Sequence, residues 1–215
     1  MITLHLLRHG ETEWHAENRY AGISDVRLTD RGRDQAARLR PWAVAAGLAV
    51  LASSDLSRAV DTAAPVAGLG VPWVVDPGLR EVDFGAGEGL TRTEMAHRFP
   101  DALEAFLAAP GSVPLPGGEP GTVAADRGLA ALARLCEGRD GTAVGVVAHS
   151  TLIRLVLCRL LGLPLDDYRR RFPVMGSATV TTLRVPAAGP GAMEGRAALL
   201  CFNAPVGGAA PEREH

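Results

Sequence analysis

Apolar residues follow two rhythms along the chain. Short, nearly continuous apolar runs at 2–7, 49–52, 71–75, 142–148, 178–185 and 197–203 read as strands, most of them too uniformly apolar to have a wet face. Between them apolar positions recur every three or four residues, the helical spacing. One helix is predicted over 31–46, entered at Thr29-Asp30 and stopped at Gly47, with Pro41 inside it as a kink point. Ser53-Ser54-Asp55 reads as the cap of a second helix running to 67, and Thr122 as the cap of another running to 137. A helix also fits 151–161, and shorter ones 93–98 and 102–108. Residues 11–28 read as a long loop.

Strands alternating with helices imply an α/β fold: a three-layer sandwich whose mostly parallel central sheet carries helices on both faces. From 79 the pattern loosens, and 110–121 is rich in Pro and Gly, so 85–121 reads as a helical and loop insert over one end of the sheet. One domain is expected over 1–203, with a disordered tail at 204–215. No internal repeat is visible.

The composition narrows the function classes. At 215 residues the length suits one large domain, and 47% hydrophobic against 21% charged excludes a disordered chain. The net charge is −2, which does not favour nucleic acid or an anionic membrane as partner. No lysine occurs, so all 22 basic residues are arginines, the mark of a codon bias. The one basic run, Arg169-Arg170-Arg171, reads as a solvated helix end. The apolar stretch 144–165 is broken by His149, Arg154 and Arg159, which fits a strand plus a helix and not a membrane span. The first seven residues lack the features of a signal peptide, so a cytoplasmic setting is expected. Cys136, Cys158 and Cys201 are widely spaced and read as free thiols, with no metal-ligand spacing among them. No heptad points to an oligomer, and a homodimer is left open.

In a parallel sheet, ligands gather at the carboxyl ends of the strands. Two such ends carry a histidine, His9 and His149. Arg8 offers a forked donor suited to phosphate beside the first, and Gly10 lets backbone approach a ligand. Arg58 lies one turn inside a helix that starts at a strand end, where the helix N-terminus and the guanidinium favour the same anion. Glu81 lies in the loop entering the insert. Each is more often structural when taken alone: a capping histidine, a surface arginine, a solvated glutamate. Together they place two histidines, two arginines and a carboxylate at one end of a sheet.

The same residues carry a resemblance. Arg-His-Gly-Glu-Thr-Glu-Trp at 8–14, Leu-Thr-Asp-Arg-Gly-Arg at 28–33 and Ser-Ser-Asp-Leu-Ser-Arg-Ala at 53–59 resemble blocks of the histidine phosphatase (phosphoglycerate mutase-like) superfamily. So do Leu-Arg-Glu-Val-Asp-Phe-Gly-Ala-Gly-Glu-Gly-Leu at 79–90, Pro-Gly-Gly-Glu at 116–119 and Ala-His-Ser-Thr-Leu-Ile-Arg at 148–154. The six blocks occur in the family's order. The resemblance implies that His9 is the nucleophile that becomes phosphohistidine, that Arg8, Arg58 and His149 form the phosphate pocket with the Ser150 N–H, and that Glu81 is the general acid and then the base. It implies no metal and no other cofactor, since arginines supply the charge that a transferring phosphoryl group demands. The expected ligand is a small-molecule phosphate ester.

Three departures stand out. His15 occupies the position of an asparagine that touches phosphate in many relatives, which implies a contact that survives but becomes pH-dependent. Ala21 stands where relatives often have a polar residue. Pro120 follows Pro-Gly-Gly-Glu where Ser is usual. The 84–90 run and the absence of lysine resemble the phosphatase branch more than the glycolytic mutases, so the alternatives rank as phosphatase, then mutase-type phosphotransferase, then a non-catalytic phospholigand-binding module. The apolar insert offers few cations beyond Arg92 and Arg98, so a neutral or partly apolar leaving group is expected.

Overall fold

The first apolar run forms β1 (Ile2–Arg8), and its alternation explains its central place. Leu4 and Leu6 enter one buried cluster and Leu7 enters another, so the strand is covered on both sides. It pairs in parallel with β4 (Ala143–Ala148) and antiparallel with β5 (Thr179–Val185). With β2 (Leu48–Ser53), β3 (Trp73–Val75) and β6 (Ala198–Pro205) the sheet order is β3-β2-β4-β1-β5-β6. The pairings on the β3 side are parallel, and the two that add β5 and β6 are antiparallel. The structure is a computed structural model and describes residues 1–187 and 189–206.

Helices α1 (Asp30–Ala37), α2 (Leu39–Ala46) and α3 (Ser57–Ala67) lie on one face, around Leu39, Ala43, Ala59, Ala63 and Val66. Helices α6 (Gly121–Cys136) and α7 (Ser150–Leu161) cover the other with Leu129, Leu132, Leu152 and Val156. The three-layer α/β sandwich is therefore the fold. The insert contributes α4 (Arg92–Arg98), entered by a Thr91/Glu94 capping box, and α5 (Pro100–Ala108). Phe106 of the insert and Phe84 just before it pack edge-on against Tyr20 of the long loop, and Tyr20 exchanges backbone hydrogen bonds with Leu90 and Gly89. Loop and insert thus close over the sheet as one wall.

The single helix predicted over 31–46 is two helices meeting at Arg38. Pro41 has no N–H to give and its ring crowds the carbonyl four residues back, so the hydrogen-bond ladder stops before it. The cap predicted at Ser53-Ser54-Asp55 is not used. Helix α3 begins at Ser57, whose N–H is accepted by Asp25 Oδ1 at 2.8 Å, while Asp55 pairs with Arg80 at 2.7 Å. Thr122 likewise is not a cap, because α6 starts one residue earlier after Pro120. The last strand reaches Pro205, two residues into the stretch expected as tail; residues 207–215 lie outside the described residues. The four-residue helices α8 (Tyr168–Arg171) and α9 (Pro190–Met193) are too short to show a period in the sequence. Among the described residues no helix is long and apolar enough to cross a membrane.

Candidate active site

A cleft of about 320 Å³ opens over the carboxyl ends of β1 and β4, with Arg8 and His9 in its floor and Glu81 and Ser150 on one flank. Close backbone approach makes this corner. A side chain on Gly10 would lie 2.6 Å from the Gly32 carbonyl oxygen, and one on Gly32 would lie 2.1 Å from that of Glu11, so the 10–12 turn can seat only against glycine.

His9 is 6% exposed. Its Nδ1 is 2.7 Å from the Gly10 carbonyl oxygen, which can only accept, so Nδ1 carries the proton and Nε2 keeps a lone pair. Burial first, and then the charges of Arg58 and Arg8, hold its pKa well below 6.5, so the ring is neutral at ordinary pH.

Arg58 and His149 are fully buried behind His9, whose ring centroid is 5.2 Å from that of His149. They are not part of the open cleft wall. Arg58 donates to the carbonyls of Ser24 (2.7 Å), Gly22 (2.6 Å) and Ala21 (3.3 Å), and its Nε donates to His149 Nδ1 at 3.2 Å. An arginine cannot accept, so His149 holds its proton on Nε2 and gives it to Ser54 Oγ at 2.7 Å. Burial and Arg58 keep His149 neutral, its pKa well below 6.5.

His15 lies beside Arg8, its ring centroid 5.8 Å from that of His9. Arg8 donates to its Nε2 at 2.8 Å, and the Thr12 N–H points at its Nδ1 from 3.0 Å. A neutral ring has one lone pair for these two donors. Burial first, and then Arg8, lowers its pKa to about 3, so the neutral form is the one present. Protonation of His15 in the free protein therefore falls well below the physiological range, so the pH dependence expected of its contact lies there.

The Glu81 carboxylate accepts from the N–H groups of Thr151 and Leu152, each at 2.8 Å, and of Val82 at 2.9 Å. It thus caps α7 from across the cleft. The loop that carries it is clamped by Arg127, which donates to the carbonyls of Gly78, Arg80 and Glu81 while paired with Glu119 at 2.8 Å. Glu88 accepts from the N–H groups of Gly22, Ile23, Ser24 and Phe84, and so ties the Arg58 carbonyl cradle to the Glu81 loop. Ser150 heads α7 with its side chain accepting from Arg154 at 2.6 Å. Among the described residues nothing accepts from the Ser150 N–H.

Every site residue named from the sequence therefore converges here. Arg127, Ser54 and Glu88 were not singled out, although Ser54 and Glu88 lie inside the quoted sequence blocks. The cleft is also more cationic than the insert alone led one to expect. Arg92 lines the cleft, Arg98 does not, and Arg19, Arg154 and Arg169 join it from the long loop, α7 and α8. Among the described residues no cluster of three metal-ligating side chains occurs.

Residues 4–194 match the histidine phosphatase superfamily (branch 1), and the chain belongs to it. It is 36% identical over 179 residues to the glucosyl-3-phosphoglycerate phosphatase of Mycolicibacterium vanbaalenii, a match covering 80% of this chain and 77% of that one. A bifunctional protein of Mycobacterium tuberculosis is 40% identical over 154 residues, 71% of this chain. The match spans only 42% of that longer protein. The solved structure of the mycobacterial glucosyl-3-phosphoglycerate phosphatase superposes with a TM-score of 0.82 at 30% identity, covering 94% of this chain and 98% of that one.

Proposed function

We propose that the chain is a phosphomonoesterase that moves the phosphoryl group of a small phosphorylated metabolite onto His9 and then onto water, with no metal or other cofactor. The observation that carries this reading is the state of His9: neutral, its Nδ1–H held by the Gly10 carbonyl, its Nε2 left with a lone pair, in a cleft that Arg8 also lines.

In the first step the N–P bond forms as the ester P–O bond breaks. Glu81, entering this step as the carboxylic acid, gives its proton to the leaving oxygen, exchanges one of its bonds to the start of α7 for a bond to substrate, and is left as the carboxylate. In the second step Glu81 takes a proton from water, water attacks phosphorus, and His9 leaves with its electron pair, releasing inorganic phosphate. Arg8 and the Ser150 N–H bind the phosphoryl oxygens. Arg58 adds its field from behind His9, and His149 the Nε2–H that it now gives to Ser54. An anion set between Arg8 and His15 would accept from both. The Thr12 N–H would then keep the His15 Nδ1 lone pair, which leaves Nε2–H as the donor to phosphate.

The test is hydrolysis of p-nitrophenyl phosphate with a chelator present, by the native protein and by His9→Ala. Activity that resists the chelator and falls by about 10³-fold or more in the mutant is expected, with a base-stable phosphoprotein trapped only in the native chain. Equal rates in the two proteins would overturn the reading. Turnover that requires a bisphosphate primer would replace it by mutase-type phosphotransfer.

A further inference from the structure

The carbonyl that holds the His9 ring belongs to a peptide that is gripped at its other end. Gly10 O accepts the His9 Nδ1 proton at 2.7 Å. The N–H of the same peptide unit, that of Glu11, donates to the Gln35 side chain at 2.8 Å. A backbone N–H can only donate, so the atom that meets it is the amide oxygen of Gln35. The flanking peptides are fixed as well. The Gly10 N–H donates to Thr62 Oγ1 at 3.0 Å, and the fully buried Thr62 gives its own proton to the Arg58 carbonyl at 2.6 Å. The Glu11 carbonyl accepts from the Thr29 N–H at 3.0 Å.

Gln35 reaches this peptide because of how α1 lies. A side chain on Gly32 would lie 2.1 Å from the Glu11 carbonyl oxygen, so only glycine lets the helix rest on the turn. Gln35 is three residues further along α1 on the same face, and its half-buried side chain spans the gap to Glu11. It lies outside the cleft lining, so what it does for the reaction it does through the peptide.

A peptide whose N–H is engaged is a better acceptor at its C=O, because the two ends of the amide polarise together. The bond to Gln35 therefore strengthens the bond to His9. A buried carboxylate would orient the ring too, as it does in a Ser-His-Asp triad. Beneath a phosphoryl group its negative charge would repel the substrate. An amide behind a peptide supplies the same orientation with no net charge.

We propose that Gln35 is a positioning residue for the nucleophile: by accepting the Glu11 N–H it strengthens the Gly10 carbonyl, which keeps the His9 proton on Nδ1 and leaves Nε2 free to attack. This rests on the phosphatase reading above and deepens it. Without Gln35 the Gly10 peptide loses one of its anchors and the proton can move to Nε2, which removes the attacking lone pair.

The experiment reads the His9 ring directly. Two-bond proton–nitrogen correlations, with the histidines labelled in heavy nitrogen and His9→Ala to assign the signals, give its tautomer. They are set beside kcat and KM on p-nitrophenyl phosphate. The native ring is expected as the Nδ1–H form alone. Gln35→Met keeps the side-chain length and removes the amide acceptor. In it an Nε2–H fraction is expected to appear and kcat to fall about tenfold, the weight of one hydrogen bond, with KM within about twofold of native. Gln35→Ala, a good helix former at a half-buried site, is the second variant and is expected to do the same. Gln35→Glu keeps an acceptor oxygen, and is expected to retain the Nδ1–H form and most of kcat. Native ring signals and native kcat in either folded acceptor-less variant overturn the proposal. So does a loss carried by KM alone, or a Gln35→Glu as impaired as Gln35→Met. Each of these leaves the phosphatase reading intact. Failure of the native chain to hydrolyse any phosphate ester overturns that reading, and the role of Gln35 in the reaction with it.

Discussion

Arg58 lies buried behind the floor of the cleft and Arg169 lines the cleft itself, and the two are held in opposite ways. Arg58 has no exposure and gives its protons to three backbone carbonyls and a histidine. Those carbonyls belong to residues 21–24, which Glu88 fixes in turn. Among the described residues Arg169 stacks on the Phe106 ring and bonds to two hydroxyls, those of Tyr168 and Tyr20. The floor is thus saturated by the protein's own backbone, while the wall at Arg169 rests on aromatic side chains. A phosphoryl-transfer floor must present the same charge for any ester, so it gains from rigid compensation.

The sharpest probe of the phosphoryl-transfer end is Glu81, the acid of the proposed mechanism. Glu81→Gln is expected to lower kcat on an alkyl phosphate by about 10²–10³-fold, and on p-nitrophenyl phosphate much less, because p-nitrophenolate leaves without a proton. Equal losses on the two esters would take the acid role from Glu81.

Next in size is the contrast itself, read by thermal unfolding. Arg58→Met strands the buried carbonyls of Gly22 and Ser24 and the His149 Nδ1, and is expected to cost about 3–5 kcal/mol, or about 10 °C in Tm. Arg169→Met removes a ring contact and two hydroxyl bonds, and is expected to cost about 1 kcal/mol, or about 3 °C. Similar losses in the two variants would erase the distinction between floor and wall.

The last expected effect is in pH. His9, His149 and His15 are neutral when folded, and regain an ordinary pKa near 6.5 when unfolded. Below 6.5 the unfolded chain therefore binds more protons than the folded one, so stability falls as the pH falls, and for His15 the loss runs from 6.5 down to about 3. Above 6.5 these groups leave stability flat. His15→Asn removes one of the three, and its Tm is expected to drop several degrees less than the native value between pH 7 and 4.5. An unaltered slope would place the His15 ring in contact with water.

Much of this was readable along the chain. The strand ends carrying His9 and His149, the helix carrying Arg58 and the loop carrying Glu81 follow from apolar runs and their punctuation, which are local. Helix starts were less readable where the cap comes from elsewhere: Ser57 takes Asp25, thirty-two residues away, and not its neighbours Ser54 or Asp55. The break at Arg38 was half legible, since Pro41 marks the place but not whether the ladder bends or parts. Arg127 had no local sign at all, being one arginine on an amphipathic helix until α6 packs against the 78–81 loop.

The sequence by itself determined the α/β class, the order of strands and helices and the residue types gathered at the sheet's carboxyl end, because those depend on short-range periodicity and on turn chemistry. Only the tertiary structure decided which nitrogen of each histidine holds the proton, which arginines are spent on backbone carbonyls, and that Arg169 parts from Arg170 and Arg171 to face the cleft. Charge balance and hydrogen-bond satisfaction are set by neighbours that are distant in sequence, and a run of identical residues carries no record of which way each one turns.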